Sequence, residues 1–327
     1  MGWNSWNKFA CNIEEKHLKI ATDKVIEMGL DKLGYNYINV DDCWQLEERD
    51  LNGHVQPDPK AFPSGMKSLA DYVHSKGLLF GIYSSAGTKT CEGRAGGLHH
   101  EEIDAKDYAS WGVDYLKYDN CYNDNVSALE RYTAMRDALA ATGRPIFYSI
   151  CNWGDEETWK WAPSVGNSYR ISGDIINDWE GVESNFFAAG NVAWEAGPGN
   201  WNDPDMLEVG NGGLTLEEEK THFALWALLK APLIIGADLD KISAESLEIL
   251  KNEHLIAVNQ DPLGKQGYCH INCDWFSGLL RTPQIWAGPL ANGDQAVVAV
   301  NWRALDYSGL SFTPDQVGLA PGKAQRV

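Results

Sequence analysis

Acidic residues stand at the ends of several stretches that have the composition of buried strands. The stretch YLKYDNC consists largely of strand-forming residues, yet it carries Lys117 and Asp119 two positions apart, on one face of the predicted strand. A charged pair inside a strand costs free energy unless the pair has a use. Further carboxylates follow other predicted strands: Asp41, Asp42, Asp174, Asp203 and Asp205.

A single carboxylate after a strand is often only a helix cap or a turn residue. Here four of eight predicted strands end in carboxylates, which favours a shared site at the carboxyl ends of a parallel barrel. Such a ring of acids repels itself unless hydroxyl groups, a metal or basic side chains balance the charge. Lys117 and Arg170 are placed to provide basic side chains.

Two carboxylates are the side chains that glycoside hydrolysis requires. One attacks the anomeric carbon, and the other protonates the leaving oxygen and later deprotonates the incoming water. Because Lys117 shares a strand face with Asp119, we expect Coulombic attraction to keep Asp119 ionised, as a nucleophile requires. Asp174 follows Gly173 in a predicted loop, a freer setting in which we expect its pKa to rise, as a general acid requires.

Aromatic residues accompany these acids at or near the predicted strand ends. A rigid aromatic face can stack on a sugar ring while carboxylates bind the hydroxyl groups. Any single Trp of this kind is more often part of a core, but tryptophans interleaved with acids favour a carbohydrate ligand. The residues concerned are Trp3, Trp6, Trp44, Tyr83, Trp153 and Trp201.

Sequence patterns that bind metals or phosphates are absent. His99 and His100 are adjacent and point in different directions, unlike the spaced ligands of a zinc site. The chain has no HExxH, no glycine-rich phosphate loop and no GxSxG elbow. We therefore expect a reaction that uses no metal and no cofactor.

Apolar stretches alternate with helical stretches from residue 1 to about residue 260, which predicts a parallel sheet wrapped by helices. Eight strand-helix units match the size of a (β/α)8 TIM barrel. An open doubly wound sheet is the competing architecture, but no GxGxxG follows the first strand. The predicted strands are MGWNSW, YNYINVDD, LLFGIYS, VDYLKYDN, PIFYSIC, SYRIS, GNWNDPD and PLIIGA.

Capping residues indicate where helices begin and end. Asn12 with Glu15, and Thr215 with Glu218, have capping-box spacing before an amphipathic run. Four glycines stand where helices should end before the next strand: Gly29, Gly77, Gly112 and Gly143.

After residue 262 the pattern changes to alternating stretches such as QAVVAVNW, without helical periodicity. We therefore predict a catalytic barrel over residues 1–262 and a small antiparallel β-domain over residues 263–327. The second is short for a two-sheet sandwich, so we expect it to be incomplete or to continue beyond residue 327. No apolar run reaches 18 residues, so we expect no membrane span.

Charge and cysteine content bear on partners and compartment. The chain has 46 acidic and 27 basic residues, a net charge of −19, and nucleic acid is not an expected partner because binding it needs a positive surface. Seven cysteines would leave one free thiol after disulfide formation. Together with the glycosylation motif at Asn125, they predict a secreted or a lysosomal or vacuolar protein.

Eight stretches, in order over residues 1–265, resemble the retaining α-galactosidases of glycoside hydrolase clan D, family 27. The resemblance implies exo-acting release of terminal α-linked D-galactose through a covalent glycosyl-enzyme intermediate. It also implies that Asp119 is the nucleophile and Asp174 the acid/base. The matching stretches are MGWNSWN, DDCW, GIYSSAGTKTC, YLKYDNC, YRISGDI, WNDPDML, ALLKAPLIIGADL and NQDPLGKQG.

The same resemblance implies how the sugar is bound. It assigns Trp6 to packing against galactose, and Asp41 and Asp42 to its 4- and 6-hydroxyls. Lys117 and Arg170 would bind hydroxyls near the reacting carbon. The other pocket residues it implies are Tyr83, Cys121, Asp205 and Met206.

The resemblance further implies a free thiol, Cys151, at the pocket wall near the 2-substituent of the sugar. Trp153 would fill the space that an N-acetyl group needs, which favours plain galactose. Many relatives have Glu where this chain has Asn152, so the resemblance leaves open which polar contacts the 2-hydroxyl makes.

The family's disulfides correspond to Cys11–Cys43 and Cys91–Cys121. Cys269 and Cys273 have no family counterpart, and their spacing of four in a turn-like stretch would allow a local bridge.

Two alternatives stay open at this point. Within the family, the activity could be that of an α-N-acetylgalactosaminidase, a β-L-arabinopyranosidase or an isomalto-dextranase. Outside the enzymes, a barrel that binds sugar and has lost its chemistry is disfavoured because both carboxylates are present. The expected partner is therefore an α-galactoside substrate, with neither nucleic acid nor membrane.

Overall fold

A computed structural model of the chain describes residues 1–274, 280–303, 305 and 307–319. In this part of the chain eight parallel strands form one sheet in the order β7-β6-β5-β4-β3-β2-β1-β8. The strands are β1 (Gly2–Asn4), β2 (Tyr37–Asn39), β3 (Leu79–Ser85), β4 (Tyr115–Asp119), β5 (Phe147–Cys151), β6 (Ser168–Arg170), β7 (Trp201–Asp203) and β8 (Ile234–Ile235).

The sheet closes on itself beyond β7. Leu207 forms a parallel bridge with Ile235 of β8, and its backbone N–H donates to the carbonyl of Ile234 at 2.8 Å. Seven of the eight observed strands lie inside the stretch predicted for them, and β3 extends one residue beyond its stretch, to Ser85. The prediction of a (β/α)8 barrel is confirmed, and the open doubly wound sheet is excluded.

Helices connect the strands around the outside of the barrel. Their positions are α1 (Trp6–Phe9), α2 (Glu15–Glu27), α3 (Gly65–Ser75), α4 (Glu101–Trp111), α5 (Ala128–Ala141), α6 (Thr158–Trp161), α7 (Trp179–Gly190), α8 (Leu216–Leu229), α9 (Ala244–Leu250) and α10 (Glu253–Asn259). None of the helices in the described ranges is long and apolar enough to cross a bilayer.

One of the two predicted capping boxes is present. Thr215 caps α8, since its hydroxyl accepts from the backbone N–H of Glu218 and the Glu218 carboxylate accepts from the backbone N–H of Thr215. The prediction at Asn12 is wrong, because Glu14 is the N-cap of α2. The carboxylate of Glu15 instead accepts from a lysine at 2.8 Å and from Ser64 at 2.6 Å, so it is not available as a cap.

The four glycines predicted to end helices all have positive φ, between 71° and 82°. This left-handed backbone is where glycine is favoured, because a side chain would be strained there. Gly112, for example, ends α4 with φ 82° and donates its backbone N–H to Ala109.

A second, antiparallel sheet follows the barrel, with strands in the order β11-β10-β9. It consists of β9 (Tyr268–Ile271), β10 (Gln284–Pro289) and β11 (Gln295–Val300). Trp286 of this sheet packs on Phe186 of α7 with ring centroids 4.5 Å apart, and Trp302 packs on Phe187 at 4.8 Å. Aromatic burial therefore fixes the small sheet on the barrel.

The predicted small antiparallel β-domain is thus present as a separate sheet. Of the range predicted for it, 263–327, residues 275–279, 304, 306 and 320–327 lie outside the described residues. The predicted boundary at residue 262 and the predicted incompleteness of the domain stay predictions.

Candidate active site

Asp119 is the last residue of β4 and points into the mouth of the barrel, with 6% of its surface exposed. The hydroxyl of Tyr83 on β3 donates to its Oδ2 at 2.8 Å, and the backbone N–H of Asn120 donates to its Oδ1 at 2.9 Å. One side-chain donor and one backbone donor therefore hold both carboxylate oxygens. This leaves the carboxylate in one orientation.

Lys117 pairs mainly with another acid. Its ammonium lies 2.9 Å from Oδ2 of Asp41, which also accepts from the amide of Asn4 at 2.8 Å. Burial raises the pKa of Asp119, while Lys117 lowers it by attraction, and the net pKa is above the ordinary 3.8. Lys117 lowers the pKa of Asp119 as expected, but the net shift is upward, because burial outweighs the attraction of a lysine already shared with Asp41.

Asp174 lies in the loop after β6, and its side chain is 68% exposed. Nη2 of Arg170, at the end of β6, lies 3.2 Å from Oδ1 of Asp174 and 3.1 Å from Oδ2 of Asp205. Partial burial raises the pKa of Asp174, but attraction to Arg170 and Lys117 outweighs it, so the pKa lies below 3.8. The predicted rise of this pKa is wrong for the free protein, because the sequence did not show the contact with Arg170.

A chain of contacts across three neighbouring strands joins the two acids. Asp119 of β4 is the register partner of Cys151 of β5, and Sγ of Cys151 lies 3.8 Å from Nη1 of Arg170. Arg170 in turn contacts Asp174. The site therefore collects an enclosed acid, a thiol, a guanidinium and an exposed acid at one edge of the sheet.

All seven cysteines fall within the described residues. The structure contains disulfides at Cys11–Cys43, Cys91–Cys121 and Cys269–Cys273, the three pairs expected. Cys151 is free and buried, and burial raises its pKa well above the ordinary value, so it stays a neutral thiol. Sγ of Cys91 lies 3.4 Å from Oδ2 of Asp119, which places the disulfide of Cys121 against the enclosed acid.

Asp41 and Asp42 follow β2 and are almost fully buried. Oδ1 of Asp42 accepts from the backbone N–H of Cys43 at 2.7 Å, and its Oδ2 accepts from that of Glu92 at 3.0 Å. Burial raises the pKa of Asp42 to about 6 in spite of these bonds. A buried carboxyl of this kind gains from a ligand that supplies further hydroxyl donors.

Asp205 connects the loop after β7 to the loop that carries Asp174. Its Oδ2 accepts from the backbone N–H of Ile175 at 2.8 Å, and its Oδ1 accepts from that of Met206 at 2.8 Å. Both Asp205 and Met206 are buried. Asp203, two residues earlier, is enclosed by the barrel, and burial raises its pKa to about 6.

The five tryptophans singled out in the sequence fall into three groups. Trp6 of α1 and Trp153 after β5 are half-buried and lie beyond the carboxyl ends of their strands. Trp3 and Trp44 are at most 1% exposed and donate to backbone carbonyls, so they belong to the core. Trp201 begins β7 at the opposite end of the barrel. The proposal of a sugar contact is therefore wrong for Trp3, Trp44 and Trp201.

Asn152 is fully buried and braces the loop after β5. Its amide donates to the carbonyl of Asp155 at 2.7 Å and to Oγ1 of Thr158 at 2.9 Å. It therefore supports the backbone beside Trp153 through its amide nitrogen, while its Oδ1 accepts no hydrogen bond from the described residues. Asn125, the predicted glycosylation site, is exposed in the turn before α5.

Family comparisons agree with this arrangement. A family profile described as "Alpha galactosidase A" matches residues 1–261. The chain belongs to this family. A second profile, described as "Alpha galactosidase C-terminal beta sandwich domain", matches residues 281–327.

Individual members of the alpha-galactosidase family are similar over almost the whole chain. Alpha-galactosidase 3 of Arabidopsis thaliana is 53% identical over 319 residues, 98% of this chain and 72% of its own length. The alpha-galactosidase of Coffea arabica is 52% identical over 98% of this chain and 82% of its own. A structure of an alpha-galactosidase from Saccharomyces cerevisiae with raffinose superposes with a TM-score of 0.86 at 41% identity, covering 92% of this chain and 73% of that one.

The site of this alpha-galactosidase family member includes a residue that sequence reasoning missed. Asn4 ends β1, donates from its amide to Asp41, and accepts from the backbone N–H of Trp6 at 2.8 Å. It links a carboxylate of the pocket to the aromatic residue beside it. The sequence could have indicated Asn4 as a site residue, since it is a polar residue at the carboxyl end of a strand.

Proposed function

We propose that this chain releases terminal α-D-galactose by double displacement, with Asp119 as the nucleophile and Asp174 as the acid/base. The observation that supports this most strongly is the chain of contacts from Asp119 through Cys151 and Arg170 to Asp174. It gives one enclosed carboxylate held by two donors and one exposed carboxyl beside it. Relatives named alpha-galactosidase, about half identical to this chain, support the choice of sugar.

In the first displacement an oxygen of Asp119 forms a bond to the anomeric carbon while the glycosidic bond breaks. The leaving oxygen takes the proton of Asp174 and departs as an alcohol. In the second displacement the Asp174 carboxylate takes a proton from water, whose oxygen bonds to the anomeric carbon and releases Asp119. Each displacement inverts the carbon, so the net outcome is retention.

Asp174 must hold a proton when substrate binds, although Arg170 lowers its pKa in the free protein. The side chain is 68% exposed, so a leaving group seated beside it would cover it. Burial raises the pKa of a carboxyl because it disfavours the charged form. We infer that the bound substrate itself brings Asp174 to the protonation state that the first step needs.

The experiment that tests the mechanism is proton NMR of the reaction with a nitrophenyl α-galactoside. We expect α-galactose to appear first and to equilibrate with the β-anomer only later, because two inversions restore the configuration. Heat-inactivated protein is the control for spontaneous hydrolysis. Initial release of β-galactose would mean a single displacement and would remove Asp119 from the role of nucleophile.

We further propose that the protein acts outside the cytosol, either secreted or in a lysosome or vacuole. Three disulfides and an exposed Asn125 in an acceptor motif support this. We expect intact-mass spectrometry of protein from its native source to find a glycan that is lost in Asn125→Gln. Cysteines found reduced and Asn125 found unmodified in that protein would contradict the proposal.

A further inference from the structure

Glu208 lies in the loop after β7, outside the pocket residues described above. It is 2% exposed, and each of its carboxylate oxygens accepts from a different asparagine. The amide of Asn211 donates to Oε2 at 2.6 Å, within the same loop. The amide of Asn7, 201 residues away in α1, donates to Oε1 at 2.5 Å. The carboxylate thereby joins the loop after β7 to the loop after β1.

The β7 side of this contact is held firmly by helix α8. The backbone N–H of Glu208 donates to Nε2 of His222 at 3.0 Å, and that of Gly210 donates to Oε1 of Glu219 at 2.9 Å. Burial lowers the pKa of His222 to about 3, so its ring is neutral and Nε2 can accept. Glu208 therefore extends from a backbone that two side chains of one helix fix in place.

The β1 side has little support of its own. Helix α1 has four residues, Trp6–Phe9, too few to be stable by their own backbone hydrogen bonds. Asn7 is its second residue and directly follows Trp6. On the other side of Trp6, Asn4 accepts from the Trp6 backbone at 2.8 Å. The backbone at Trp6 is therefore held on both sides, by Asn4 before it and by Asn7 with Glu208 after it.

Gly236, just past β8, lies close beneath Asn7. A Cβ at Gly236 would come within 3.1 Å of Cβ of Asn7 and within 3.2 Å of its amide nitrogen. Any residue larger than glycine at this position would come so close to the asparagine that the asparagine would have to shift. The backbone at the end of β8 thus lets Asn7 lie where it reaches Glu208.

We propose that Glu208 is a positioning residue that holds Trp6 against the bound sugar by anchoring Asn7 to the loop after β7. The inference rests on the proposed function, because it assumes that Trp6 packs on galactose. Glu208 itself touches neither the sugar nor the reacting atoms. An aromatic face that packs on a sugar binds the ground state and the transition state equally. If Trp6 is held less firmly, KM should therefore rise while kcat stays nearly unchanged.

The test compares Glu208→Ala with Asp114→Ala on a nitrophenyl α-galactoside. Asp114 is a matched control, since its two carboxylate oxygens also accept from two different side chains, those of His74 and Arg144, yet it immediately precedes β4 at the opposite end of the barrel. We expect Glu208→Ala to raise KM about tenfold with kcat within about threefold of wild type, the pattern of lost uniform binding. Asp114→Ala should lower the melting temperature without changing KM.

Two further variants separate positioning from general destabilisation. Asn7→Ala should raise KM as Glu208→Ala does, and it keeps the proposal testable if Glu208→Ala does not fold. In a Trp6→Ala background, Glu208→Ala should add little further change in KM, because its effect passes through Trp6. Equal KM values for Glu208→Ala and Asp114→Ala would overturn the proposal. It would also be overturned if the KM increases caused by Glu208→Ala and Trp6→Ala multiplied in the double variant. Absence of turnover in the wild-type protein would instead refute the proposed function.

Discussion

Asp119→Asn is expected to lower kcat on an aryl α-galactoside by about 10⁴-fold or more, the order of loss found when a nucleophile is removed. The amide is a poor nucleophile, so no glycosyl-enzyme forms. The fold should persist, because asparagine has the same shape and burial already disfavours the charge of Asp119. Steady-state kinetics and thermal melting measure the two effects.

Asp114→Asn is a matched control on the same polypeptide segment. Asp114 immediately precedes β4 at the opposite end of the barrel, where it accepts from His74 at 2.7 Å and pairs with Arg144 at 2.6 Å. Its loss should lower the melting temperature and leave kcat unchanged. Near-normal turnover in Asp119→Asn would show that another group attacks the sugar.

Azide distinguishes a missing nucleophile from a misfolded site. In Asp119→Gly the space of the side chain is open, so azide can attack the anomeric carbon while the aryl oxide leaves. A single displacement on an α-galactoside inverts the carbon, and the expected product is β-galactosyl azide. Formation of the α-azide in this variant would contradict the assignment of Asp119.

The positions of the strands and the residues at their ends could be predicted from the sequence. Each strand of the barrel lies within an apolar stretch that is flanked by turn or helix signals, and parallel strands place their carboxyl ends together. That rule alone predicted that Asp41, Asp119 and Asp205 lie at the same end of the barrel. It needs only local patterns and a known connectivity, which is why it succeeded here.

The protonation states could not be predicted in this way. The pKa of Asp119 depends on its burial, and that of Asp174 on Arg170, whose guanidinium also serves Asp205. These groups come from three different strands or their loops, and a strand-face argument cannot decide which of them a charge pairs with. The rise expected for the pKa of Asp174 therefore had the wrong direction for the free protein, and the attraction expected between Lys117 and Asp119 is outweighed by burial.

Glu208 illustrates a second kind of residue that sequence patterns miss. It lies in the stretch MLEVG, where a glutamate after an apolar pair is typical of a solvated loop. Its burial depends on Asn7, 201 positions earlier in the chain, and on the closure of the barrel between the segment after β7 and β8. Nothing near Glu208 in the sequence indicates that Asn7 contacts it or that the barrel closes beside it.

Asp174→Ala is expected to have effects that depend on the leaving group. With raffinose, whose leaving group is the hydroxyl of another sugar, kcat/KM should fall about 10³-fold, within the usual contribution of general acid catalysis. With a dinitrophenyl α-galactoside the first step needs no proton, so kcat/KM should change little. Asp178→Ala is the control, since Asp178 caps α7 through Gly181 in the same loop and should affect only stability.

Azide should restore turnover of the activated substrate in Asp174→Ala. It attacks the glycosyl-enzyme without needing a base, so the second displacement no longer depends on the missing carboxylate. Because Asp119 has already inverted the carbon once, the product should be α-galactosyl azide, opposite to that of Asp119→Gly. Equal losses on both substrates together with no azide product would place the acid/base elsewhere.

The pH profile of Asp174→Ala with the activated substrate should report Asp119 alone. The reaction requires ionised Asp119, so kcat/KM should rise as pH increases through the pKa of this group and show no fall at higher pH. Burial raises that pKa, so the midpoint should lie above the ordinary 3.8. Lys117→Met in the same background should move the midpoint higher still, because it removes the attraction that partly offsets burial. A midpoint at or below 3.8 would mean that the carboxylate is better solvated than its position at the end of β4 allows.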